Sequence, residues 1–126
     1  YVKGGNSKAA TFVGTAISKW NTVSATTLEG TFYEASVMNA DLTGWKVGKV
    51  VTLHSTFIGA SKFTGTGLAS WDIASVTTLR ATFYSASSLT SCNKRKITDA
   101  WKSWLASGTN RATSESRKGA PVAALY

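Results

Sequence analysis

The sequence predicts an α/β repeat fold: stacked units of about 25 residues, each a strand, a turn and a short helix, closed by a C-terminal helix. Three observations lead there. Tryptophans recur at Trp20, Trp45 and Trp71. An aliphatic residue precedes each by three positions, as Ile17, Leu42 and Leu68. A Leu-x-x-Thr-Phe segment follows each, with Leu28, Leu53 and Leu79 ahead of Phe32, Phe57 and Phe83.

Taken in order, the chain opens on a partial copy over 8–19, with Thr11, Phe12 and Ala16 ahead of Ile17. Full copies follow over about 20–44, 45–70 and 71–90. Around the tryptophans, Trp45-Lys46-Val47 and Trp71-Asp72-Ile73 alternate apolar and polar, the pattern of a strand. In the Leu-x-x-Thr-Phe-x-x-Ala segment the apolar groups fall at i, i+4 and i+7, the pattern of a helical turn. Thr26 and Glu29 have the spacing of a capping box, though His54 and Arg80 replace the glutamate in later copies. A unit this small cannot bury its own apolar face, so copies must stack to share a core. The expected core is Trp20, Trp45, Trp71, Leu28, Leu53, Leu79, Phe32, Phe57, Phe83, Trp101 and Trp104.

The last two belong to a closing helix expected over 93–105, where Ile97, Trp101, Trp104 and Leu105 share one face. Ser91 and Asn93 are its candidate N-caps. The single domain thus spans 1–105, and 106–126 reads as an irregular basic tail.

The residues resemble a known family. The run from Leu68 to Leu79 (LASWDIASVTTL), followed by Thr82-Phe83 and Ala86-Ser87, resembles the repeat of mycoplasma surface-lipoprotein domains of unknown function, relatives of BspA-like leucine-rich repeats. Similar repeats occur in marine microalgae, and Ser91 to Ile97 (SCNKRKI) is similar to the start of their final helix. The resemblance covers roughly residues 11 to 105. It departs from the pattern at Thr22 and Ala25, which replace aliphatics in the first full copy, and at Gly48 and Lys49 in the second. It implies a leucine-rich-repeat-like solenoid without catalytic activity.

Composition and charge narrow the function. The net charge is +8, with a cluster at Lys94, Arg95 and Lys96 and further cations at Lys102, Arg111, Arg117 and Lys118. Such a balance suits acidic protein surfaces within a multi-subunit complex, or an anionic membrane surface. Nucleic acid is not favoured, because no nucleic-acid motif accompanies the charge. One cysteine, Cys92, excludes an internal disulfide, and one histidine, His54, cannot build a zinc site with it. No metal or cofactor is expected, and no apolar run is long enough to span a bilayer. The six carboxylates do not pair at catalytic spacings, so no catalytic residue is assigned. His54 shares its repeat position with Glu29 and Arg80, which marks a solvated surface stripe.

Tyr33, Ile58 and Tyr84 each follow the repeat phenylalanine and form either an exposed stripe or a second core layer. With the basic residues they are the candidate partner contacts. Threonines also recur, as in some ice-binding arrays, but each adjoins a core position, so turn bonding explains them more simply. The leading expectation is a non-catalytic interaction or structural module, an accessory subunit of a larger assembly such as an algal plastid complex. The alternative is an extracellular adhesion or ligand-binding module. The chain begins at Tyr1 and reads as a processed form, plastid or secreted after loss of a targeting peptide.

Overall fold

A computed structural model describes residues 11–102. The copies stack in the register of the sequence repeat, but the units are not strands and helices. Among the described residues there is one α-helix, α1 (Ser91–Ala100), and there are two short 3₁₀ turns, Ile17–Lys19 and Leu68–Ser70. No sheet forms. The β pairing is confined to isolated parallel bridges, Thr27 to Thr52 and Thr52 to Thr78. This overturns the α/β leucine-rich-repeat solenoid.

The hydrogen bonding gives the reason. In the first full unit the amides of Leu28, Gly30 and Phe32 donate sideways, to the carbonyls of Thr52, His54 and Thr56 in the next unit, at 3.2, 3.1 and 2.8 Å. The intervening amides of Thr31, Tyr33 and Ala35 turn back on Leu28, Gly30 and Phe32. The second unit repeats this, with Leu53, Ser55, Phe57 and Gly59 donating to Thr78, Arg80, Thr82 and Tyr84. A helix sends every amide along its own axis. Here alternate amides leave for the neighbouring unit, so the segment is a staircase of tight turns.

Left-handed residues produce those turns. Positive φ recurs at Gly30, Ser55 and Ala81, and again at Glu34, Gly59 and Ser85, two fixed positions per unit. Each interrupts the right-handed run that a helix needs.

The strands expected at Trp45-Lys46-Val47 and Trp71-Asp72-Ile73 are also absent. Side chains make the links there. Thr22 Oγ1 donates to Lys46 O and accepts from Lys46 N, at 3.1 and 2.8 Å, and Ser75 Oγ donates to Gly48 O. The capping box is replaced by a shorter device: Thr27, Thr52 and Thr78 accept from the amides two residues on, at Glu29, His54 and Arg80.

Two aromatic columns run through the stack. Trp20, Trp45 and Trp71 lie nearly parallel, with centroids 6.5 and 6.4 Å apart. Phe12, Phe32, Phe57 and Phe83 form the second column, at 6.4, 5.5 and 5.6 Å. The columns touch at Phe32–Trp45 and Phe57–Trp71, and Leu28, Leu53 and Leu79 are buried in the same core. Thr56 and Thr82 are fully buried, and their hydroxyls reach the leucine carbonyls of their own and the preceding unit. Those contacts satisfy polar groups that would otherwise be costly to bury.

The helix α1 closes the C-terminal end. Its N-cap is Thr90, whose side chain accepts from the amide of Asn93, rather than Ser91 or Asn93. Asn93 instead donates from Nδ2 to Thr64 O at 2.6 Å. The helix starts two residues before the expected 93, at Ser91. Ile97 and Trp101 are buried, and Trp101 stacks on Phe83 with centroids 6.0 Å apart. Trp104, Arg111, Arg117, Lys118 and the tail 106–126 lie outside the described residues.

Candidate functional site

The core position that differs most from expectation is Trp20. Trp45 and Trp71 are each 4% exposed, but Trp20 is 57% exposed. Among the described residues it stands at the end of its column, with Trp45 stacked on one face only. A common rule governs the later rungs. Trp45 Nε1 donates to Ile17 O at 2.8 Å, and Trp71 Nε1 to Leu42 O at 3.1 Å. No described residue accepts from Trp20 Nε1.

A groove of 360 Å³ opens between Trp20 and the Ala25–Thr31 turns. It shares Trp45 with a groove of 570 Å³ bordered by Val23, Lys46, Lys49 and Asp72. These grooves were not foreseen, although a signal existed: Thr22 and Ala25, where the family pattern has aliphatics, both line the smaller one.

The candidate partner residues form two further surfaces. Tyr33 and Ile58 are half-buried and Tyr84 is 57% exposed. They lie in register, since their units are tied by the amides of Glu34 and Gly59 donating to Ile58 O and Tyr84 O. The basic group lies on and just beyond α1: Lys94 is half-buried and Arg95 and Lys96 are exposed on the helix, and Lys102, which follows its C-cap, is exposed. Arg95 Nε sits 3.7 Å from Asp99 Oδ2, a surface pair of little energetic weight.

The repeat position of Glu29, His54 and Arg80 forms a polar stripe. Glu29 Oε1 and His54 Nδ1 are 2.9 Å apart, Glu29 exposed and His54 half-buried, with Arg80 at the same position of the next unit. Asp41 is fully exposed, and its carboxyl is held below its ordinary value by the Thr43 hydroxyl and then by the Thr43 amide, both donating to Oδ1.

Among the described residues no three His, Cys, Asp or Glu side chains gather where a metal could bind. None of their helices is long and apolar enough to cross a membrane. The free Cys92 is exposed on the first turn of α1.

Residues 4–112 match the family described as "Mycoplasma protein of unknown function, DUF285". No curated protein and no solved structure matches the chain.

Proposed function

We propose that this chain, which belongs to the DUF285 family of Mycoplasma proteins of unknown function, is a non-catalytic interaction module, an accessory subunit that holds other proteins in a larger assembly. The observation that carries this reading is the in-register polar stripe. One scaffold position presents Glu29, His54 and Arg80 in successive units, while the recurring threonines beside it bond to backbone. Side chains that vary on a fixed frame suit recognition of a shaped, charged surface. The exposed cations Arg95 and Lys96 of α1, with Lys102 just beyond its end, offer charge to an acidic partner. The microalgal likeness of the SCNKRKI segment makes a plastid complex one setting for such a subunit.

Native copurification with cross-linking tests the proposal. A defined acidic protein should be captured, and the triple change Arg95→Glu, Lys96→Glu and Lys102→Glu should release it. A chain that runs as a free monomer in native extracts, with no cross-linked neighbour, would overturn it.

A further inference from the structure

We propose that the groove beside Trp20 binds a pyranose ring of a neutral, β-linked oligosaccharide. This goes beyond the protein-docking reading and stands at the opposite end of the stack from α1.

The first observation is the exposed indole. In later units each indole is covered, and its N–H is bonded to the carbonyl of the aliphatic residue three positions before the previous tryptophan. Trp20 keeps one open face and an N–H without an acceptor among the described residues. Indole combines a flat apolar body with a single polar handle. What completes it is a flat C–H surface carrying an acceptor at its edge.

The second observation is the missing side-chain bulk. Val50 and Val76 occupy the position of Ala25 in the later units, and both are fully buried. Ala25 is half-buried and lines the 360 Å³ groove. Thr22, at the position of Val47 and Ile73, has a structural explanation in its two bonds to Lys46. Ala25 has no such bond from its side chain, and the space remains. Its volume falls in the range of small-molecule sites, roughly 300–1,000 Å³.

The third observation is the rim. Asn21 Oδ1 accepts from the Val23 amide, which leaves its Nδ2 donors for a ligand. Thr27 Oγ1 accepts from the Glu29 amide, which leaves its hydroxyl proton to donate. Glu29 holds His54 through Oε1, which leaves Oε2 as an acceptor. The Ser24 hydroxyl has no partner among the described residues. Donors and acceptors thus surround an aromatic floor. The lining holds one charged residue, Glu29, and no cation, which disfavours an anionic ligand. An apolar peptide side chain would leave the rim groups unpaired. A pyranose with equatorial substituents presents a C–H face to the indole and hydroxyls to the rim.

The test is calorimetric titration of the full chain with cellohexaose, and with maltohexaose, whose axial linkages curl the chain. Cellohexaose should bind with a Kd on the order of 1 mM or tighter. Maltohexaose should bind at least about tenfold more weakly, and Trp20→Ala should weaken cellohexaose by about tenfold or more. Ala25→Val, which restores the later units' side chain and leaves Trp20 in place, should also abolish binding while the protein melts no lower than the parent. Absence of saturable binding, or equal binding by either variant, overturns the proposal. So does equal affinity for both sugars. Trp20-dependent dimerisation in sedimentation without sugar binding overturns it as well, and assigns the face to a second copy of the chain.

Discussion

Trp101 Nε1 donates to Leu68 O at 3.2 Å, the same bond that Trp71 makes to Leu42 and Trp45 to Ile17. A residue at the end of α1 thereby takes the place of a fourth repeat tryptophan. The closing helix ends the stack by imitating its next unit. Trp101→Phe keeps a ring on Phe83 and removes the N–H. It should cost about 1–2 kcal/mol, since Leu68 O still accepts from the Trp71 amide. Trp101→Ala should cost about 3–5 kcal/mol. Urea unfolding of the variants checks both values.

The two ends of the tryptophan column should respond differently to truncation. Trp45 is 4% exposed between two indoles, so Trp45→Ala should cost about 3–5 kcal/mol. Trp20 is 57% exposed, so Trp20→Ala should cost under about 1 kcal/mol. Equal losses in chemical denaturation would show that the open end is buried in solution.

The buried threonine hydroxyls give a third expectation. Thr56 Oγ1 lies 2.7 Å from Leu53 O and 3.0 Å from Leu28 O. Thr56→Val keeps the shape and removes the hydroxyl donor, and should destabilise by about 1–2 kcal/mol. A neutral result in thermal unfolding would mean that the remaining donors, the Thr31 amide and hydroxyl on Leu28 O and the Thr56 amide and Thr82 hydroxyl on Leu53 O, satisfy those carbonyls.

Left-handed positions occupied by residues other than glycine predict a gain. Ala81 has φ 55° and Ser85 φ 61°. Ala81→Gly and Ser85→Gly relieve strain of about 1–2 kcal/mol per residue against a smaller entropic cost, so each should stabilise by about 0.5 kcal/mol or more. Gly67 is the opposite case. At φ 95° it packs so closely that a β-carbon would fall on the backbone of Leu42 and Thr43. Gly67→Ala should destabilise by about 2–4 kcal/mol in the same assay.

The Asp41 carboxyl supplies a pH dependence. Its folded value lies below the ordinary 3.8 because the ionised form accepts two bonds from Thr43. The associated stabilisation is complete above the ordinary carboxylate value and is lost as pH falls through the depressed folded value. Thr43→Val removes the hydroxyl donor and should raise the Asp41 midpoint toward 3.8 in a carboxyl-carbon NMR titration. An unchanged midpoint would refute the assignment.

Recurrence in the chain determined the register of the stack and which rings meet in it. Trp20, Trp45 and Trp71 stack because they occupy one position in units that repeat every 25 or 26 residues. The closing helix was legible for a similar reason, since Ile97 and Trp101 lie one helical turn apart on a single apolar face. The conformation of the unit was not legible. Spacings of i, i+4 and i+7 put side chains on one face in a helix, and they do so equally in a staircase of tight turns. The turns depend on left-handed backbone at Ser55 and Ala81, where no glycine announces it. Nor could the chain alone show that Trp20 differs from its copies. Identical positions in a repeat become unlike when one has a neighbour on both faces and the other on one, so only the tertiary stack decided which tryptophan is core and which faces solvent.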